Sequence, residues 1–173
     1  MVEVAIDSIR VSLMSQHRIV ILKDVDSERF LPIWIGQSEA EAITVALQEI
    51  PIVRPLTHDL LRNVLRDLGA EVVRVNIVEL KNEIFFARIV LRVNERELEI
   101  DSRPSDALAL AVRVHVPIFV SEDVMREAAS EPSSEVEAEE PAPEGDQRLD
   151  VFKDFVESLD LDDMESGESD SDN

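Results

Sequence analysis

The sequence predicts an α+β fold in a single compact domain, because its strands come in blocks rather than alternating one by one with helices. Three observations carry this reading. Apolar residues recur at period two in the stretches before Gly36 and after Gly69. They recur at helical spacing after Gly36, after Thr57 and after Pro104, which makes three main helices. From Glu131 onward the composition turns to Glu, Asp, Ser and Pro, which cannot build a core. The domain is therefore placed at residues 1–130 and an acidic, mostly disordered tail at 131–173.

The first strand covers 2–13, with a change of phase. Val2, Val4 and Ile6 fall on even positions, while Ile9, Val11 and Leu13 fall on odd ones, so a bulge is expected at Asp7-Ser8. A turn at 15–18 leads to strands over 18–23 and 29–35. Pro32 marks the latter as an edge or a bulge, because proline donates no ladder hydrogen bond. Ser38 and Glu41 have capping-box spacing for the first helix, whose expected apolar face is Ile43, Ala46, Leu47 and Ile50. Thr57 is the expected N-cap of the second helix, with Leu61, Val64, Leu65 and Leu68 inward and Gly69 as the stop. Val73, Val75 and Ile77 then share a strand face, and Phe85 to Val93 alternate on the next. The turns at 81–83 and at Asn94-Glu95 make this a meander that ends in RELEID. Pro104 opens the third helix, and ALALAV (107–112) is apolar nearly all round, so this helix is expected to be central and buried. Pro117 ends it, PIFV is a last short strand, and Ser121 caps a final helical turn.

The chain has 173 residues and a formal charge of −21. Residues 1–130 hold 21 acids against 15 bases, a net of −6, and the tail holds 17 against 2, a net of −15. Three lysines stand against fourteen arginines. Abundant carboxylate with little lysine is the composition of a halophilic protein, since molar salt shortens the screening length to about 3 Å and removes self-repulsion. Within the tail, LDVFKDFVESLDL (149–161) places Leu149, Phe152, Val156 and Leu159 at helical spacing, which predicts a short amphipathic helix that docks, binds a partner or stays unfolded. The absence of cysteine excludes disulfides and thiolate metal sites. No apolar run reaches the roughly 20 residues of a membrane helix. The acidic start MVEVAIDSIR is unlike a secretory signal, so a cytoplasmic setting is expected.

Four dispersed glycines exclude a phosphate loop. The stretch DSRPSDALALA (101–111) joins a strand end to a helix start, a favourable place for anions. Asp101 and Asp106 there are candidates to hold a divalent cation such as Mg²⁺ or Mn²⁺, and Arg103 to grip a phosphate with two hydrogen bonds. The competing reading gives Asp106 to free backbone N–H groups and Arg103 to a neighbouring acid. Glu39 and Glu41 are either further metal-holding carboxylates or partners of the helix dipole. His58 beside Asp59 is either a proton carrier or the polar start of a helix. Trp34 is assigned to the core or an interface rather than to base stacking.

The stretches LPIWIGQSEAEAI (31–43), RPLTHDLL (54–61) and DSRPSDALALAVR (101–113), followed by PIFVSEDV, resemble the bifunctional nuclease family over the whole of residues 1–130. The resemblance implies a curved mixed sheet, frequent assembly into homo-oligomers, and hydrolysis of both DNA and RNA. On the matching motifs, Asp101, Asp106, His58 and Asp59 are carried over as catalytic candidates. Arg103 and Ser105 are carried over as substrate-binding candidates, and Asp101, Asp106, Glu39 and Glu41 as metal candidates; Arg54 joins the substrate-binding candidates as part of a local arginine patch expected with Arg62, Arg66 and Arg103.

The expected function is thus a metal-assisted nuclease, with a noncatalytic regulatory or partner-binding module of the same fold as the alternative. One tension accompanies it. Nucleic acid is a polyanion normally bound by basic patches, and this chain is strongly acidic with no basic run. Local contacts from arginine must therefore substitute for a basic surface.

Overall fold

Seven strands and four helices occupy residues 1–11 and 18–131, the part of the chain that the computed structural model describes. β1 (Val2–Val11), β2 (Arg18–Asp24) and β3 (Phe30–Ile35) pair antiparallel in sequence order. β1 slips register between Ile6 and Ser8, where the apolar phase changes. β3 forms one edge of the sheet and carries Pro32 opposite Ile21. After α1 (Gln37–Leu47) and α2 (Thr57–Asp67) comes the meander β4 (Glu71–Lys81), β5 (Ile84–Val93) and β6 (Arg96–Ser102). Both of its turns are two-residue turns with positive φ, at Asn82-Glu83 and Asn94-Glu95, the geometry that matches strand twist.

α3 (Pro104–Val114) closes at His115, which adopts the left-handed conformation with φ 55°. Pro117 follows, and β7 (Ile118–Val120) enters the middle of the sheet, antiparallel to β1 and parallel to β4. The strand order β3-β2-β1-β7-β4-β5-β6 makes one curved mixed sheet. α4 (Glu122–Ala128) is capped by Ser121, whose Oγ accepts from the Val124 N–H at 3.2 Å. Met1–Pro132 form one compact unit. Ala107 to Ala111 of α3 are buried on every side, packed among α1, α2, β4 and β5, and the core continues through Val20, Leu22, Leu31, Val75 and Ile77.

Several local expectations are corrected. Gly36, not Ser38, is the N-cap of α1, and Ser38 makes no capping bond; Glu41 instead accepts from Gln37 Nε2 at 2.9 Å. α1 buries Ala40 and Ile43, while Leu47 and Ile50 are exposed. α2 is capped at Leu56 rather than Thr57, and it buries His58 and Asp59 while Leu61, Val64 and Leu68 face out. Its polar side turns inward because α3 offers charged partners there. In β4 a register shift between Val72 and Arg74 places Val72 rather than Val73 in the core. Among the described residues no helix is long and apolar enough to cross a membrane. Most of the expected turn at 15–18, the tail beyond Glu131 and its helix over 149–161 lie outside the described residues.

Candidate functional site

α2 meets α3 through two polar pairs. His58 Nε2 lies 3.2 Å from Asp106 Oδ1 in the first turn of α3, and Asp59 Oδ1 accepts from Arg113 Nε at 3.0 Å near its last turn. Positions 106 and 113 lie seven residues apart, about two helical turns, so they share one face of α3. The two pairs differ in kind. Asp59 and Arg113 are sealed: Arg113 also donates to the carbonyls of Ala109 (2.7 Å) and Ala42 (3.0 Å), and Asp59 Oδ2 accepts from the Leu56 N–H at 2.9 Å. Each guanidinium nitrogen and each carboxylate oxygen of this buried pair is engaged inside the protein, which supports a structural role. The His58–Asp106 pair opens on a cleft.

That cleft, of about 610 Å³, is lined by Glu39, Glu41, Thr57, His58, Arg103 and Asp106 among others. Arg103 is the residue before Pro104, held in extended backbone as the N-cap of α3, so its side chain projects past the helix start. Its Nε donates to Asp106 Oδ2 at 2.7 Å, and its Nη2 donates to Asp106 Oδ1 at 3.0 Å and to Glu39 Oε1 at 2.8 Å. Nη1 has no protein acceptor among the described residues, and the side chain is 67 % exposed. Asp106 thus sits between an imidazole behind and a guanidinium in front. Burial pushes its carboxyl up, but hydrogen bonds from Arg103 and then His58 outweigh that and hold it below the usual aspartate value. The Arg103 charge is held more firmly than in free arginine, chiefly by the hydrogen bond and attraction of Asp106, then by Glu39.

Gly36 leaves open the space in which the Glu39 arm of this cluster lies. A Cβ at position 36 would collide with the Glu39 carboxylate, so the glycine lets that side chain fold back over the start of α1. In the sequence Gly36 marks only the boundary between a period-two stretch and a helical one. The signal for its second role was its position three residues before an acid in the first turn.

The structure brings Glu39, His58, Arg103 and Asp106 together, with Glu41 at the cleft wall. Asp101 stands elsewhere, on β6, where its Oδ1 accepts from Arg88 at 2.6 Å, and it does not line the cleft. Arg54 is exposed in the loop before α2, next to the lining residues Pro55 to Thr57 but not one of them. Ser105 is buried and faces a neighbouring groove, described below. Trp34 is 62 % exposed and so is not a core residue. As for a cation, no group of three or more His, Asp or Glu is arranged to hold a metal ion among the described residues. Asp106 and Glu39 are both engaged by Arg103, so a cation held by these two would have to displace the guanidinium. The donor set as arranged does not fit a resident metal.

The family model of the bifunctional nuclease domain matches residues 20–133, which include every cleft residue. An uncharacterized protein of Mycobacterium tuberculosis is 37% identical over 164 residues, 95% of this chain and 98% of that protein. Bifunctional nuclease 1 of Oryza sativa subsp. japonica is 32% identical over 108 residues, 61% of this chain and 33% of that protein. Bifunctional nuclease 2 of Arabidopsis thaliana is 30% identical over 109 residues, again 61% and 33%. The match thus spans about a third of each plant protein, whereas the mycobacterial protein is matched along nearly its whole length. The chain belongs to the bifunctional nuclease domain family.

Proposed function

We propose that this domain hydrolyses phosphodiester bonds in DNA and RNA at the cleft between α1, α2 and α3. The observation that carries the reading is Arg103: a positioned, solvent-facing guanidinium whose Nη1 meets no acceptor among the described residues, set beside an imidazole–carboxylate pair. With Nε and Nη2 taken by Asp106 and Glu39, the two N–H groups of Nη1 remain to donate to a phosphate oxygen and stabilise charge developing on it. Imidazole both accepts and donates protons, and a carboxylate on one ring nitrogen fixes its orientation. In this reading Arg103 grips the phosphate, and His58, oriented by Asp106, exchanges a proton with water or the leaving oxygen. Glu39 holds Arg103 in place. Names of the plant relatives support the substrate class.

Dependence on Mg²⁺ or Mn²⁺ belongs to the test rather than to the mechanism drawn from these side chains. Labelled single-stranded DNA and RNA are incubated with the full chain in molar KCl, with each cation and then with chelator, beside Arg103→Ala and His58→Gln. Cleavage that both substitutions abolish supports the reading. Cleavage that survives both sinks it. A noncatalytic binding module is the second reading, favoured by the fact that both acids facing Arg103 are already neutralised by it. We also propose that the chain assembles into a homo-oligomer, supported by the exposed Leu60, Leu61, Val64 and Leu68 on α2 and the nearby Ile52 and Val53.

A further inference from the structure

A second groove, of about 350 Å³, adjoins the cleft at Arg103, which lines both. Its walls come from distant parts of the chain. Trp34 lies on the edge strand β3, Ile84 and Phe85 begin β5, and Ser105 lies in the first turn of α3. Curvature of the sheet brings β3 and β5 to one groove although four strands, β2, β1, β7 and β4, lie between them in the sheet order. Glu83, in the β4–β5 turn with φ 64°, stands on the wall as well. The groove therefore has an arginine it shares with the catalytic cleft, an aromatic and aliphatic lining, and one carboxylate.

From this we infer that the groove is a subsite for an unpaired nucleobase, stacked against Trp34, of the strand whose phosphate Arg103 holds. The inference rests on the nuclease reading and narrows its substrate to single strands. Indole offers a flat π-face to any base, and a base inside a duplex is already stacked and cannot reach it. Ile84 and Phe85 supply apolar contact to a ring rather than to a phosphate. Glu83 repels phosphate but accepts hydrogen bonds from exocyclic amino groups, as carboxylates do from cytosine. The orientation of the nucleotide follows: backbone at Arg103, base toward the β4–β5 turn. Exposure of Trp34, which has no core function, is then explained by ligand rather than by packing.

Trp34 is the only tryptophan of the chain, so its fluorescence reports on this groove alone. The full chain, in chelator and at one fixed KCl concentration, is titrated with a short single-stranded oligodeoxynucleotide, with the same strand in duplex, and with an abasic strand of equal length. The single strand is expected to quench the emission, and the duplex and abasic strands are not. Trp34→Ala is expected to weaken single-strand binding roughly tenfold, with Trp34→Phe restoring part of the loss and abasic binding unchanged in both. Arg103→Ala weakens all three ligands. Equal quenching by the abasic strand, or unchanged single-strand affinity in Trp34→Ala, overturns the proposal. So does an emission that shifts with protein concentration alone, because a second copy then covers the groove. Cleavage without base-dependent quenching removes the subsite and leaves the nuclease, whereas base-dependent quenching without cleavage removes the nuclease reading alone.

Discussion

Arg103 and Asp106, three residues apart, face each other across the first turn of α3 with Nε 2.7 Å from Oδ2, and the same aspartate touches His58 on its other oxygen. One carboxylate thereby couples the solvent-facing cation to the buried imidazole. Arg103→Ala is expected to lower kcat/KM for strand cleavage by about 10²-fold. Arg103→Lys should restore only part of this, since an ammonium is a point charge without the planar fork. Circular dichroism should stay unchanged in both, because the side chain is exposed. Equal activity of wild type and Arg103→Ala would remove the guanidinium from the mechanism.

The Asp59–Arg113 pair holds the scaffold. Asp59→Ala leaves a buried guanidinium without its counter-charge and should cost about 3–5 kcal/mol of stability by denaturant unfolding. Replacing both partners, Asp59→Leu with Arg113→Met, should recover most of that loss. Cleavage retained in the double variant would establish that Asp59 takes no part in the chemistry.

Acid is expected to loosen the fold through two aspartates. Asp24 is lowered by the Ser27 hydroxyl and then the Asp26 N–H, against burial, with Arg29 adding to the effect. Asp106 is lowered because its hydrogen bonds overcome burial. A carboxyl depressed in the folded state contributes stability that is fully present above the ordinary value of 3.8. That contribution is lost as pH falls through the depressed folded values. Urea midpoints measured across this range should be flat above it and fall below it, and Asp24→Asn should flatten part of the fall.

The α2 surface offers a test of assembly. Leu61→Glu and Val64→Glu put charge on an exposed apolar face without touching the core. Light scattering should report an oligomer for the wild type and a single chain for the variants. A wild-type mass equal to one chain would end the oligomer proposal.

Salt should stabilise the protein. At −21 the chain repels itself in dilute buffer, and screening removes that cost. A rise in Tm of about 5 °C or more between dilute and molar KCl is expected from calorimetry. An unchanged Tm would detach the acidic composition from a saline habitat.

The order of elements, the bulge after Ile6, the edge position of Pro32, the burial of ALALAV and the family were legible along the chain, because each is written in local periodicity or contiguous motif. The sequence also marked His58, Arg103, Asp106 and Glu39, which tertiary structure then gathered into one cleft. Only the fold decided that Asp59 is sealed by Arg113 while its neighbour His58 opens to Asp106, and that Asp101 pairs with Arg88 away from both. Adjacent residues on a helix point about 100° apart, so which of them meets a partner depends on the crossing of α2 with α3. The inward polar face of α2 was hidden for the same reason. Hydrophobicity alone favours burying its leucines, but two charged partners on α3 and an apolar face left outward reversed that choice.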